Sequence, residues 1–223
     1  MVYKIALSPE DRASNTYAVG NTNERDQMRR VADLLEAALI RCGFAVKNMQ
    51  YGGMYDRVAD GNKWGADLYI ALHSNGFDGT VAGTRVHCYP SEKSRRIGKL
   101  IQDRIAPLSP GTSERLVEST NLYELRVPTM PAVLPEFGFH DNPEEAQWII
   151  DNVGLIAEET CQAVCEFFGV EYVPEAVAEN AKTTLYRVQV GAFAVRGNAD
   201  AYLKEVRKHF PEAYITAVEK AFA

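Results

Sequence analysis

Short apolar runs alternate with longer amphipathic segments through residues 1–169, and this alternation constrains the fold more than any other feature of the sequence. Asp67–His73 (DLYIALH) and Pro131–Phe139 (PAVLPEFGF) are compact apolar runs that are typical of buried strands. Glu24–Cys42 carries its apolar residues at the spacing of a helix with one buried face, and Gly43 after it is a helix-stop signal. Strands separated by helices predict an α/β fold, with a mostly parallel twisted sheet and helices on both faces.

The other elements predicted in this part of the chain are shorter or less regular. They are strands at 3–7, 44–49 and 84–89, helices at 55–64 and 91–105, and one helix from Asn142 to about Phe168. In open α/β sheets, ligands bind at the carboxyl ends of the strands. The residues that directly follow each strand are therefore the candidates for binding and chemistry.

The C-terminal part of the chain has a different character. Residues 170–184 are acidic, rich in alanine and interrupted by a proline, which is typical of a linker. Residues 185–223 then predict a small βαβ module, with a strand at Leu185–Phe193, a helix at Asn198–Phe210 and a strand at Ala213–Val218. The sequence therefore predicts a large N-terminal domain, a linker and a small C-terminal module.

The chain has 223 residues and a formal net charge of −6 at pH 7. Nucleic acids and anionic membrane surfaces are bound by basic faces, so this charge argues against both as partners. No apolar run reaches the roughly 18 residues that a membrane-spanning helix needs. The start of the chain has neither the charged segment nor the cleavage site of a signal peptide, so we expect a protein that is made without an export signal.

Four cysteines are present, and two of them, Cys161 and Cys165, lie one helical turn apart among apolar residues. This spacing predicts buried, unpaired thiols. A disulfide framework is not expected in a chain of this size that lacks a secretion signal.

Four ionisable side chains stand out at the ends of predicted elements. His73 ends the DLYIALH strand, Glu24 opens the first long helix, and Glu136 lies near the end of PAVLPEFGF, with His140 four residues later. If the chain stays extended there, period two places Glu136 and His140 on one side of the strand. A histidine and one or two carboxylates that converge at strand ends are typical of a zinc hydrolase site. A hydrogen-bonded structural histidine and a helix-capping glutamate fit the same spacing, so the pattern alone leaves both interpretations open.

Three segments, IALHSNGF, NLYELR and PAVLPEFGFHDNPEEAQWI, resemble the zinc-dependent N-acetylmuramoyl-L-alanine amidases of the amidase_3 type. The resemblance covers residues 2–169, with the motifs in the family's order. It implies that residues 1–169 form the catalytic domain and that Zn²⁺ is the cofactor. It also implies that Glu24 and His73 bind the metal and that Glu136 is the catalytic carboxylate.

The first strand departs from the family pattern. Where the family has a Gly-His-Gly element that carries its first histidine ligand, this chain reads LSPEDRASN, with Asp11 at about that position. We expect His140 to supply the third ligand, because period two faces it with Glu136. Asp11 is the first alternative, since a carboxylate binds zinc at a similar distance. A chain without functional zinc is the second.

Further residues are expected around this site. Asn15, Tyr17 and Asn75 are expected to bind substrate or to orient ligands. The segment TNLYEL resembles the part of the family that lines the peptide groove, which implies that Leu122 or Tyr123 contacts the stem peptide. Packing of the loop is the alternative role for the last two. The remaining histidines, His87 and His209, are interpreted as structural or solvent-facing.

The C-terminal segment YRVQVGAFAVRGNADAYLKEVRKHF resembles the start of a SPOR domain, a module that binds peptidoglycan glycan. A complete SPOR domain has a βαββαβ plan, and about half of that plan is present. The resemblance implies that residues 185–223 bind the cell wall. The unpaired strand edges of a βαβ half favour a homodimer through these residues. Docking of the module on its own catalytic domain is the alternative.

Together these patterns predict a peptidoglycan hydrolase that cleaves the amide between N-acetylmuramic acid and L-alanine of the stem peptide. A wall hydrolase made without an export signal suits a phage or prophage endolysin, which is cytoplasmic until it is released and then acts on the cell wall. The alternatives are a bacterial amidase that reaches the wall by another route and one that is active in a spore-forming mother cell. The alternative functions are a non-catalytic cell-wall-binding protein with a degenerate metal site and another zinc peptidase of the stem peptide.

Overall fold

The computed structural model describes residues 2–112, 115–175, 191–210 and 213–215. The chain forms two compact units, residues 1–176 and residues 177–223. Within the described ranges, no helix combines the length and the apolar character that crossing a membrane requires.

A six-stranded sheet runs through the first unit. Its strands are β1 (Lys4–Pro9), β2 (Ala45–Asn48), β3 (Leu68–Asn75), β4 (Arg85–Cys88), β5 (Arg115–Glu118) and β6 (Ala132–Phe139). The strand order is β2-β1-β3-β6-β4-β5. Neighbouring strands pair in parallel, except that β4 and β6 are antiparallel. The mostly parallel sheet confirms the predicted α/β fold.

Helices cover both faces of this sheet, as predicted. The helices of the first unit are α1 (Glu24–Arg41), α2 (Met54–Trp64), α3 (Glu92–Ile105), α4 (Tyr123–Arg126), α5 (Pro143–Asp151) and α6 (Val153–Phe168). The main core lies between α1, α3 and α6 and one face of the sheet, which contributes Ile70 and Phe137. A smaller core joins α2 and α4 to the other face, through Tyr69 and Leu134.

Strand alternation and one helix start position the polar residues. Alternation along β3 and β6 places His73 and Glu136 on the sheet face that α2 and α4 cover, and the two residues are direct partners in the register of β3 with β6. The start of α1 is fixed by Asn23, whose side chain accepts a hydrogen bond from the backbone N–H of Asp26. This cap brings Glu24, the first residue of α1, to the carboxyl edge of the sheet.

The observed elements differ from the prediction in two places. The single helix predicted from Asn142 to Phe168 is wrong, because the backbone leaves helical geometry at Asn152 (φ −118°, ψ 20°) and separates α5 from α6. The Asn152 side chain donates to the Trp148 carbonyl at 2.8 Å, which gives the end of α5 a partner outside the helix ladder. The sequence does not predict β5 or α4, because charged residues make up half of RLVE and of YELR, and neither segment shows an apolar run or an amphipathic pattern.

The described part of the second unit contains the helix α7 (Arg196–Val206), which overlaps the helix predicted at Asn198–Phe210. None of its residues is buried. The strands predicted at Leu185–Phe193 and Ala213–Val218 lie partly outside the described residues, and the residues of each that are described are not in strand conformation.

Candidate active site

A cavity of about 270 Å³ opens beyond the carboxyl ends of β3 and β6. The residues that line it are Arg12, Asn15, Glu24, His73, Ser74, Asn75, Gly76, Glu136 and His140. The four ionisable residues that stand out in the sequence are among them. The fold therefore brings together, at one edge of the sheet, side chains that are far apart along the chain.

The His73 imidazole lies between carboxylates on both of its edges. Its Nδ1 is 3.2 Å from Glu24 Oε1 and 3.3 Å from Glu10 Oε2, and its Nε2 is 3.5 Å from Glu124 Oε2. All three glutamates are buried. Glu10, Glu24 and His73 each present one potential ligand atom within 4.8 Å of the other two.

Glu10 directly follows β1 and is held by its neighbours. Its Oε1 accepts the backbone N–H groups of Asp11 and Arg12 at 2.8 Å, and the Arg12 guanidinium binds both carboxylate oxygens. Burial raises the pKa of Glu10, but the hydrogen bonds from Arg12 and the charge of His73 outweigh this effect and lower the pKa to about 2. Asp11 points elsewhere, since its Oδ2 accepts a hydrogen bond from Arg57 at 3.1 Å.

Both carboxylate oxygens of Glu24 accept hydrogen bonds, and the carboxylate stabilises the positive charge of His73. Its Oε1 accepts the backbone N–H of Ser74 at 2.8 Å, and its Oε2 accepts the side-chain amide of Asn15 at 2.6 Å. Burial lowers the pKa of His73, but its interactions with Glu124 and Glu24 outweigh this effect and raise the pKa to about 10. The surrounding carboxylates therefore stabilise a positive charge at this position, and they would stabilise a bound metal ion in the same way.

The chemistry of this group fits a divalent metal. Zinc binds imidazole nitrogen and carboxylate oxygen, and three protein ligands leave a position for water or substrate. Glu10, Glu24 and His73 supply one nitrogen and two carboxylates from three different segments of the chain. Both carboxylates of this group face the same ring nitrogen of His73, Nδ1.

Glu136 lies beside this group and has polar partners of its own. The Asn75 side chain donates to Glu136 Oε2 at 2.5 Å, and His87 Nε2 is 3.3 Å from the same oxygen. The antiparallel pairing of β4 with β6 brings His87 to this position. The structure therefore places His87, interpreted from the sequence as structural or solvent-facing, against the predicted catalytic carboxylate.

His140 lines the cavity, but the regular strand alternation that was predicted does not bring it there. His73 pairs with Glu136 and Asn75 pairs with Phe139, so two steps along β3 correspond to three along β6. This bulge breaks the period-two alternation between Glu136 and His140, and the premise that the chain stays regular there is wrong.

His140 contacts a second set of residues. Its ring stacks on Tyr17, with centroids 5.6 Å apart, and its Nδ1 is 3.0 Å from Ser74 Oγ. The Tyr17 hydroxyl donates to the same Ser74 oxygen at 3.1 Å. Tyr17 therefore contacts two residues that line the cavity. His140 does not belong to the group of potential ligands that Glu10, Glu24 and His73 form.

The remaining predicted substrate contacts divide into two groups. Asn15 and Asn75 line the cavity. Leu122 and Tyr123 pack against the smaller hydrophobic core, and the Tyr123 ring meets Tyr55 edge to face at 4.6 Å. Neither of these two lines the cavity, although Tyr123 and Tyr55 form an aromatic pair on this side of the sheet.

Sequence reasoning missed three residues of the site. Glu10 is the first residue after a buried apolar strand, and that signal was available. Glu124 lies inside the NLYELR motif, but it belongs to a four-residue helix that no periodicity reveals. His87 depends on the antiparallel pairing of β4, which the sequence does not predict.

Comparison with protein families agrees with this geometry. A family model described as N-acetylmuramoyl-L-alanine amidase (Amidase_3) matches residues 10–166, and a SPOR domain model matches residues 171–221. The SPOR match covers most of the predicted module at residues 185–223, and it also includes residues 171–184, which the sequence predicts to be a linker.

Individual relatives give the same picture. The sporulation-specific N-acetylmuramoyl-L-alanine amidase of Bacillus subtilis (strain 168) is 26% identical over 209 residues, which cover 89% of this chain and 78% of the relative. The amidase CwlM of Bacillus licheniformis is 28% identical over 219 residues, with the same two coverages.

Solved structures show a common fold. An N-acetylmuramoyl-L-alanine amidase from Clostridium difficile 630 superposes with a TM-score of 0.69 at 23% identity, covering 75% of this chain and 97% of that one. The catalytic domain of CwlV from Bacillus (Paenibacillus) polymyxa superposes with a TM-score of 0.68 at 18% identity, covering 76% of this chain and all of that one. The chain therefore belongs to the Amidase_3 family and is a peptidoglycan hydrolase of the N-acetylmuramoyl-L-alanine amidase class.

Proposed function

We propose that the cavity is the active site for hydrolysis of the amide between N-acetylmuramic acid and L-alanine of the stem peptide. In this proposal Glu10, Glu24 and His73 hold Zn²⁺, and Glu136 is the general base. The observation that carries it is the pairing of His73 with Glu136 across β3 and β6, which sets Glu24 and His73 of the potential ligand group beside an independent carboxylate in one cavity.

Glu10 is a better third ligand than either residue expected from the sequence. Its Oε2 lies 3.3 Å from His73 Nδ1, on the same edge of the imidazole as Glu24. His140 directs its Nδ1 to Ser74 and does not belong to the group of ligand atoms that Glu10, Glu24 and His73 form. Asp11 is paired with the guanidinium of Arg57, which is itself almost fully buried.

The bound metal would polarise the scissile carbonyl and lower the pKa of a water molecule. The chain's own residues then move the proton. Asn75 and His87 both contact Glu136 Oε2, which leaves Oε1 as the oxygen to accept the proton of the attacking water. Glu136 would pass this proton to the leaving amine of L-alanine, as a general base that becomes a general acid.

The test is the variant Glu136→Gln, which keeps the size and the hydrogen-bonding capacity of the side chain but cannot take a proton. We expect activity to fall by about 100-fold or more, with metal content unchanged. The assay is release of L-alanine amino termini from purified peptidoglycan, with zinc measured on the same samples. Glu118→Gln, at an exposed glutamate of β5, is the matched control.

The same assay separates the alternative functions. A wall-binding protein without activity would release no amino termini before or after substitution. A peptidase of the stem peptide would release termini of other residues. Wild-type activity in Glu136→Gln would remove this residue from the mechanism.

We also propose that the chain stays in the cytoplasm until lysis releases it to the wall, as an endolysin does. Its support is the state of the cysteines: all four are free, although Cys42 Sγ and Cys161 Sγ are only 3.7 Å apart. Free thiols at this distance suit a reducing compartment. In an expressing host, walls should remain intact until the membrane is permeabilised; wall cleavage before that step would contradict the proposal.

For the C-terminal module, we propose binding to peptidoglycan glycan and homodimer formation through residues 185–223. The match to a SPOR domain supports wall binding, and two linked modules would hold the wall more tightly than one. Light scattering should give a dimer mass for the full chain and a monomer mass for a chain that ends at Glu175. Monomer masses for both would contradict the dimer, and the shortened chain should also bind purified walls more weakly.

A further inference from the structure

A buried carboxylate that is not part of the proposed ligand group faces the far edge of His73. Glu124 is the second residue of the short helix α4 and is 3% exposed. Its Oε2 lies 3.5 Å from His73 Nε2, the buried nitrogen that makes no hydrogen bond within the described ranges. Glu24 and Glu10 both contact the opposite nitrogen, Nδ1.

The other oxygen of Glu124 is held by a chain of buried polar groups. Glu124 Oε1 accepts hydrogen bonds from the Ser8 hydroxyl at 2.5 Å and from the Tyr69 hydroxyl at 2.7 Å. Ser8 Oγ in turn accepts a hydrogen bond from Arg57 Nε at 2.8 Å, and the Arg57 side chain is 2% exposed. The carboxylate is therefore locked in place, with one oxygen saturated and the other directed at His73.

The geometry around the ring assigns the hydrogen of the His73 imidazole. Ser8 and Tyr69 donate to Glu124 Oε1, which leaves Oε2 as an acceptor 3.5 Å from His73 Nε2. A carboxylate oxygen accepts the hydrogen of the ring nitrogen that it faces, so Nε2 is the nitrogen that keeps its hydrogen when Nδ1 binds metal.

We propose that Glu124 is a positioning residue that keeps the hydrogen of His73 on Nε2, so that metal binding displaces the proton of Nδ1 and the lone pair of Nδ1 points to the metal. A neutral imidazole carries one N–H, and the hydrogen bond of that N–H sets which nitrogen binds metal. Carboxylates that accept this hydrogen orient the ligand ring and raise its basicity. The inference rests on the proposed metal site, and it assigns to α4 and Arg57 the support of that site.

The first measurement uses the wild-type protein and metal alone, without substrate. Protein labelled with ¹⁵N at histidine and loaded with ¹¹³Cd²⁺ should show scalar coupling between the metal and Nδ1 of one histidine, and that signal should be missing in His73→Ala. Coupling to Nε2 would overturn the inference while leaving the metal site intact. Failure of His73 to show any metal coupling would overturn the proposed site itself.

The second measurement is the Kd for Zn²⁺, determined by competition with a chromophoric chelator. Glu124→Gln preserves volume but removes the charge that requires a donor at Nε2, and we expect metal affinity to fall by about 10- to 100-fold. The matched control is Glu145→Gln, because Glu145 is also fully buried but accepts hydrogen bonds from the backbone of Gly83 and Phe139 and does not contact His73. Its Kd should stay close to that of wild type.

Glu124→Asp keeps the charge and should recover part of the affinity, which a purely structural role would not explain. Circular dichroism of each variant confirms that it is folded before its Kd is compared. An unchanged Kd in folded Glu124→Gln, or an equal loss in Glu145→Gln, would overturn the inference.

Discussion

Two regions of the catalytic unit bring potential metal ligands within 4.8 Å of one another, and they differ in almost every other respect. One lies at the carboxyl edge of the sheet and combines carboxylates with an imidazole. The other lies in the main core between α1 and α6 and consists of thiols alone. Their members are Glu10, Glu24 and His73 in the first, and Cys42, Cys161 and Cys165 in the second.

The difference lies in charge and access. At the sheet edge, buried carboxylates surround one imidazole, and a cavity of about 270 Å³ opens next to them. In the core, the thiols contact one another and apolar side chains, and the Val173 backbone N–H donates to Cys42 Sγ at 3.3 Å. Burial raises the pKa of the Cys42 thiol, while the hydrogen bond from Cys161 lowers the pKa of Cys165 to about 7, so this cluster carries less negative charge than the three carboxylates around His73. Ligand atoms that lie close together are therefore not sufficient for a catalytic metal site. The group at the sheet edge also has negative charge, which favours a cation, and a cavity that can admit substrate.

The largest effect on metal binding and activity is expected when one ligand of the sheet-edge group is removed. Glu24→Ala and His73→Ala should each lose bound zinc and at least about 100-fold in activity, because several kcal/mol of transition-state stabilisation depend on the metal. Metal content by mass spectrometry and release of L-alanine amino termini measure both. Cys42→Ala, in the thiol cluster, is the control and should keep its zinc. Zinc that survives in His73→Ala but disappears in Cys42→Ala would reverse the comparison.

A smaller loss of zinc affinity is expected to identify the third metal ligand. Glu10→Ala should weaken zinc binding by more than about 100-fold, because it removes a direct ligand beside His73 Nδ1 and not an outer-shell partner. His140→Ala and Asp11→Ala should bind zinc nearly as well as the wild type. Competition with a chromophoric chelator gives all three affinities on one scale. If His140→Ala loses zinc while Glu10→Ala retains it, the ligand expected from the sequence is the right one.

The sequence predicts the parts of this fold where a pattern runs long enough to be recognised. α1 is strongly periodic, and β3 and β6 are compact apolar runs, so their positions follow from the sequence. β5 (RLVE) and α4 (YELR) show neither signal, because charged residues make up half of each. The break between α5 and α6 depends on one side-chain hydrogen bond of Asn152, which a helical pattern does not reveal.

The candidate site follows the same rule. Glu24, His73 and Glu136 lie at the ends of predicted elements, and the structure brings them to one cavity. The alternation argument fails beyond Glu136, because the bulge in β6 adds a residue that no sequence pattern marks. Glu124 reaches His73 only through the tertiary placement of α4, so a local pattern could not have found it.

The smallest expected effect concerns the thiol cluster. Cys161→Ala removes a fully buried sulfur, and we expect a loss of about 1 kcal/mol in the free energy of unfolding, or about 2–4 °C in Tm for a unit of this size. Added zinc should raise Tm by the same increment in Cys161→Ala as in the wild type, because a ligand stabilises only through its own site. That increment should vanish in Glu24→Ala. Thermal unfolding with and without zinc measures both effects, and a zinc increment that shrinks in Cys161→Ala would mean that the thiols bind metal after all.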